Sequence, residues 1–231
     1  GAPELSIGDS SAPEYELFRV NGAVRLADGR IAVLNGGTNE VRIYSPEGRF
    51  VVSLGGQGEG PGEFMGADRL FRGVADSLIV WDSRSVRASV FAPDGGFVRT
   101  IPLDPRPQVP RLQGVDGLGR LLVVATNLAG SSSTEITRLT EVRMLYDATG
   151  RLIDTLGAAP GMAGVIRGSG DRLEVLRPLV APTTTYAMGG SLLWIETGES
   201  RRLERVDLER KTRQVITWDG PDLSMTPALQ K

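Results

Sequence analysis

Short apolar runs alternating with turn signals fill most of the chain. The clearest stretch is residues 24–64, VRLADGRIAVLNGGTNEVRIYSPEGRFVVSLGGQGEGPGEF. An apolar run enters an Asp28-Gly29 turn and continues as Ile31-Ala32-Val33-Leu34. A polar loop from Asn35 to Asn39 precedes Val41-Arg42-Ile43-Tyr44, and Pro46-Glu47-Gly48 turns the chain into Phe50-Val51-Val52-Ser53-Leu54. In the third run Val41 and Ile43 share one face and Arg42 and Tyr44 the other, which is the period of a strand. Runs of this kind, joined by Asp-Gly and Pro-x-Gly turns, predict a four-stranded antiparallel meander.

The plan then repeats. Unit two has Asp76-Ser77 at its first turn, Leu78 to Asp82, Val86 to Phe91, a Pro93-Asp94-Gly95 turn and Phe97 to Ile101. Unit three runs through Asp116 to Gly119, Leu121 to Val124, Val142 to Tyr146 and Leu152 to Leu156. Unit four runs through Thr184 to Met188, Leu192 to Ile195, Leu203 to Leu208 and Gln214 to Trp218. The first turn recurs at Gly29, Ser77, Gly119 and Gly190, spaced 48, 42 and 71 residues apart. Four strands per repeat of about 40–50 residues predict an all-β fold, a β-propeller of four-stranded antiparallel blades. A β-sandwich shows short strands as well, but it does not repeat its turn chemistry unit by unit.

A single propeller domain over residues 1–231 is therefore expected. Its parts are a closing strand and connector at 1–22, blades at 23–65, 66–109, 110–178 and 179–218, and a connector at 219–231 leading toward a further blade. The proline-rich stretch Pro102 to Pro110, the loop around Ser131-Ser132-Ser133 and the segment Gly157 to Pro178 read as linker and loop insertions. Leu5-Ser6-Ile7-Gly8 matches Val52-Ser53-Leu54-Gly55, and Phe18 matches Phe64. The first residues thus read as a fourth strand whose three partners lie elsewhere. The expectation is an incomplete part of a ring, because closed propellers pair both termini in one blade.

The order of residues 28 to 64 closely resembles an NHL-type repeat. More narrowly, the chain resembles bacterial six-bladed propeller proteins of that kind, many of them exported and uncharacterised. The resemblance is strong in units one and two, fair in unit three and weak in unit four, where Glu209-Arg210-Lys211 replaces the x-x-Gly turn. It implies six blades where four are recognisable, and an extracytoplasmic location, periplasmic or secreted, although the chain carries no signal peptide.

Composition narrows the chemistry. The 231 residues contain no cysteine and no histidine, which removes disulfides, thiolate sites, imidazole general bases and imidazole metal ligands. The formal charge of −2 gives no field to draw nucleic acid, and no run approaches a membrane span. Gly55 to Gly62 invites a phosphate-loop reading. However, Pro61 removes a donor, Glu59 and Glu63 add negative charge, and a strand follows, so the stretch reads as a connector whose Phe64 plugs the seam between blades. Asp28, Asp76, Asp94, Asp116, Asp147 and Asp207 sit where Asp bonds its own turn. Asp82, at a strand end, is the least explained. Arg201, Arg202, Arg205, Arg210, Lys211 and Arg213 are interleaved with acids and read as a solvated outer face, while Trp81, Trp194 and Trp218 read as filling between blades.

The function expected is a non-enzymatic binding or scaffold module using the loop face of the blades. Asn35, Thr38, Asn39, Gln57, Asp82, Arg84 and Asn127 are its candidate ligand-binding residues, with a protein, peptide or carbohydrate as partner. No cofactor and no metal are expected. Two alternatives stand beside it. One is a propeller enzyme of lyase or lactonase type with a carboxylate-built calcium site, and the other is an RNA-binding face of NHL type.

Overall fold

The computed structural model describes residues 4–8, 11–105, 107–127, 135–167, 174–176, 178, 182–198 and 200–220. Among them the only helical pieces are single 3-10 turns at Pro13–Tyr15 and Val74–Asp76. Blade 1 comprises β1 (Val20–Arg25), β2 (Ile31–Asn35), β3 (Glu40–Tyr44) and β4 (Phe50–Gly55). Blade 2 comprises β5 (Ala67–Arg72), β6 (Leu78–Asp82), β7 (Arg87–Phe91) and β8 (Phe97–Pro102). Blade 3 comprises β9 (Pro110–Val115), β10 (Leu121–Asn127), β11 (Thr137–Tyr146), β12 (Leu152–Arg167) and β13 (Glu174–Leu176). Blade 4 comprises β14 (Thr185–Gly189), β15 (Leu192–Glu196), β16 (Arg202–Asp207) and β17 (Thr212–Thr217). Every sheet is wound from consecutive antiparallel strands.

Local chemistry sets the turns. The Asp28 carboxylate accepts the N–H of Arg30 at 3.0 Å, and Asp94, Asp116, Asp147 and Asp207 accept turn N–H groups in the same way. Backbone donors of this kind hold the Asp28 and Asp207 carboxyls below the usual carboxylate range. Gly48, at φ +82°, supplies the left-handed residue of the Pro-x-Gly turn. Asp76 reaches further, since its carboxylate accepts the N–H of Ala27 at 2.7 Å and ties the turns of blades 1 and 2 together.

The core lies in the seams between blades. Leu34, Val41, Ile43 and Leu54 of blade 1 meet Leu70, Leu78, Val80 and Phe91 of blade 2, with Phe64 from the connector among them and fully buried. Ile79, Trp81, Ala88 and Val90 then meet Leu112, Leu121, Val123 and Tyr146 of blade 3. Leu122 and Leu145 meet Leu193, Ile195 and Leu208 of blade 4. Inner strands pack in sequence order, β1 on β5, β5 on β9 and β9 on β14. No comparable packing joins β14 to β1 among the described residues. The blades form an open arc rather than a closed four-bladed ring, as the repeats predict.

Four expectations change. Leu5 to Ile7 does not pair as a strand among the described residues; Leu5 and Ile7 instead lean on the Gly48 turn. Residues 13–16 cover the outer face of blade 1, where Arg42 donates to the carbonyls of Pro13 and Glu16 and Tyr44 donates to that of Glu14. Phe18 is not the counterpart of Phe64. Val20 pairs with Asn35 as Ala67 pairs with Asp82, so Leu17 corresponds to Phe64, and Phe18 is 69% exposed. The segment from Gly157 onward is not loop as far as Arg167, because it continues β12 beside a lengthened β11, with Pro160 next to a register shift. The Ser131 tract and the connector beyond Gly220 lie outside the described residues. Trp81 fills a seam, but Trp218 is half exposed and Trp194 lies under the Arg205 guanidinium, on a sheet face that no neighbouring blade covers among the described residues.

Candidate functional site

The β2–β3 and β6–β7 hairpins and the connector into β5 end on one face of the arc. Asn35 and Asp82, the last residues of β2 and β6, are wholly buried. The Asn35 amide oxygen accepts the N–H of Phe18 at 2.8 Å and its nitrogen donates to the Glu16 carbonyl. Asp82 accepts from the N–H groups of Met65 at 2.8 Å, Arg84 at 3.0 Å and Ser85 at 3.1 Å, and from the Ser85 hydroxyl at 2.9 Å. Both side chains are latches between an incoming connector and a hairpin. In this structure neither side chain is exposed, and both are engaged by these bonds.

Asn39, at φ +54°, is a third latch. Its oxygen accepts the N–H of Ala67 at 3.0 Å and its nitrogen donates to the Gln57 side chain at 2.5 Å. Asn39 and Gln57 are thus brought together. Thr38 is exposed and bonds Glu40. The exposed Arg84 lines a cleft of about 410 Å³ with Glu59, Met65, Ser85 and Arg87, and Gln57 reaches its rim through the Met65 sulfur at 3.6 Å. Arg87 holds the glycine-rich connector by donating to the carbonyls of Glu59, Gly60 and Glu63. The Arg84 guanidinium bonds no other side chain or carbonyl among the described residues. Asn127 ends β10 on blade 3, away from this group, and its side chain lies outside the described part.

Sequence reasoning missed a polar lattice on the inner strands. Asn21, Asp68 and Arg111 each follow the first paired residue of β1, β5 and β9, and Asn21 and Asp68 are the extra residues of bulges. Asn21 donates to the Ala67 carbonyl at 3.1 Å. Arg111 is paired with the buried Glu141, which also accepts from the Tyr186 hydroxyl at 3.1 Å. Burial, followed by the Glu141 charge, pushes the Tyr186 phenol up. One Asp68 oxygen is buried without a hydrogen bond. Burial pushes this carboxyl up to about 6, with Asp82 adding to the rise and Arg69 and Arg111 opposing it. The only signal in the sequence was a charged residue opening two first strands. Among the described residues no three acidic side chains converge as a metal site.

This carboxyl gives a pH test. The folded state holds the Asp68 proton up to about pH 6 and the unfolded chain only to about 3.8, so stability falls as pH rises between those values. Allowing for solvent screening, the loss by pH 7 is about 2 kcal/mol. Asp68→Asn is expected to be more stable than the parent at pH 7.5 and to lose that slope. Urea unfolding at pH 4.5 and 7.5 checks it, and identical slopes for the two proteins count against the assignment.

Residues 14–105, which contain blades 1 and 2, match the sequence model of a family described as a 6-bladed beta-propeller. The fold is a β-propeller. Among solved structures the propeller resembles a Bacteroides fragilis NCTC 9343 protein inferred to be exported, at 12% identity and a TM-score of 0.52, over 92% of this chain and 74% of that one. It also resembles a catalytically inactive virginiamycin B lyase from Staphylococcus aureus with quinupristin, at 11% identity and a TM-score of 0.49, over 88% of this chain and 57% of that one. The propeller thus spans about three quarters of the first protein and little more than half of the lyase. At these identities the likeness concerns the fold. No curated protein matches. No helix among the described residues is long and apolar enough to cross a membrane.

Proposed function

We propose that this propeller is a non-enzymatic binding module that takes its ligand on the loop face, over the cleft of Arg84, Glu59 and Met65. The observation that carries the reading is an exposed, unpaired Arg84 guanidinium on a hairpin fixed from below by the buried Asp82. The fixed backbone of the hairpin sets where Arg84 is presented, and guanidinium forks match carboxylates and other planar acceptors. The thioether of Met65 offers apolar contact beside it. This combination suits an extended peptide or a glycan bearing an acidic group. The absence of histidine from the whole sequence, the use of Asp28, Asp94, Asp116, Asp147 and Asp207 in turns and the ion pairs of Glu141 and Glu204 support a binding role over a catalytic one. An extracytoplasmic location belongs to the same reading, and the export inferred for the B. fragilis protein supports it.

The test is to probe peptide and glycan arrays with the parent and a Gln57→Ala, Arg84→Ala double variant. The expected result is a set of acidic ligands whose affinity drops about tenfold or more in the variant, the loss of one charged contact, with unfolding unchanged. Ligands bound equally by both proteins, or no ligand on either array, would refute the reading.

A further inference from the structure

The seam between blades 3 and 4 differs from the two before it. Val41 opposite Leu34, Ala88 opposite Trp81 and Arg143 opposite Val124 occupy one register position, each facing the following blade. Blades 1 and 2 bury apolar side chains there, whereas blade 3 buries a guanidinium that is only 4% exposed. Across the seam, where blade 3 presents the apolar Met144 to blade 2, blade 4 presents Glu204. Between them lies a cavity of about 270 Å³. Its walls include Arg143, Arg202, Arg213, Glu204 and the chain at Ala158 to Pro160, and Thr197 and Ser200 of the β15–β16 loop border it.

Among the described residues the charges around this cavity do not balance. Glu204 is paired with Arg213. The neighbouring Glu141 is engaged by Arg111 and Tyr186, so it is not free to neutralise Arg143. Arg143 donates to the carbonyls of Leu156 and Ala158 at 3.3 Å, but its buried Nε has no partner. Arg202 is exposed, and its guanidinium bonds nothing among the described residues. Among the described residues lining the cavity, three guanidiniums therefore face one carboxylate. Burying the Arg143 guanidinium beside a void is costly unless a counter-charge fills it, whereas the matching positions Val41 and Ala88 of the other two seams are apolar.

We infer that this seam cavity is a binding site for a small oxyanion, a carboxylate or phosphate group held by Arg143 and Arg202 with Arg213 beside them. Guanidinium groups take both anions through paired N–H donors, and the volume admits a small dicarboxylate or a phosphate. The site is separate from the Arg84 cleft, and neither depends on the other.

Inorganic phosphate and succinate, each titrated calorimetrically and by thermal unfolding against sodium chloride of equal ionic strength, test the inference and separate tetrahedral from planar anions. One of them is expected to bind at a single site and raise Tm above the chloride control. Arg202→Ala, at an exposed position, is expected to weaken that binding about tenfold or more without altering the Tm of the free protein. Arg143→Met, which restores the residue type of the other seams, is expected to abolish it. Arg84→Ala is expected to leave it intact. If Arg143→Met does not fold, Arg202→Ala carries the test alone. No response to either anion beyond chloride, or undiminished binding by Arg202→Ala, overturns the inference.

Discussion

Asp82→Ala is expected to destabilise the propeller by about 3–5 kcal/mol, because it strips acceptors from several buried donors at once. The carboxylate serves the N–H groups of Met65, Arg84 and Ser85 and the Ser85 hydroxyl, and it has no exposed surface through which water could replace it. Asp82→Asn keeps one acceptor oxygen and should lie between alanine and the parent. Asn35→Ala, which removes two hydrogen bonds at the matching place in blade 1, should cost less than Asp82→Ala. Chemical denaturation orders the series. If Asp82→Ala costs under about 1 kcal/mol, a typical single hydrogen bond, the latch is not what fixes the hairpin.

Phe64→Ala is expected to cost about 3–5 kcal/mol, the range for emptying a buried aromatic site. The ring sits 6.0 Å from that of Phe91, inside the seam of blades 1 and 2. Gly55, with φ +84°, leaves the room it occupies, since a Cβ there would overlap the ring. Phe18→Ala is the matched control. The sequence pairs Phe18 with Phe64, whereas the strand register pairs Leu17 with it, so Phe18→Ala should stay within about 0.5 kcal/mol of the parent as a surface change. Equal losses at the two phenylalanines would restore the sequence-based pairing.

That off-by-one marks where the sequence stops being readable. The blades and their turns were legible because Asp-Gly and Pro-x-Gly chemistry is local, and the alternation of Val41 and Ile43 shows in five residues. The latches were not. A polar residue ending a strand looks the same whether it meets solvent or, like Asp82, a connector 17 residues upstream. Arg42 and Tyr44 share one strand face in the sequence, but nothing local shows that residues 13–16 lie over it. Nothing in the sequence singles out Arg143, and Arg202 and Arg213 read there as part of an outer basic cluster. Their convergence depends on how two blades, about sixty residues apart in the chain, stack against each other. The extension of β12 was hidden by composition, because Gly157-Ala158-Ala159-Pro160-Gly161 carries almost no β-propensity and pairs only because β11 reaches alongside.

The winding of each sheet from consecutive strands bears on how the molecule is made. Among the described residues no strand waits for a distant partner, so the loops closed while a ladder forms are short and the entropy lost in closing them is small. Each blade can zip up as its own stretch of chain emerges, and the one before it already offers a finished wall. The later, slower events are then the dockings of preformed sheets. The two seams between blades 1, 2 and 3 close mainly on apolar contacts, while the seam between blades 3 and 4 must also bring the Arg143 guanidinium out of water. Among the described seams, the docking of blades 3 and 4 is the one that the surrounding solution can influence most.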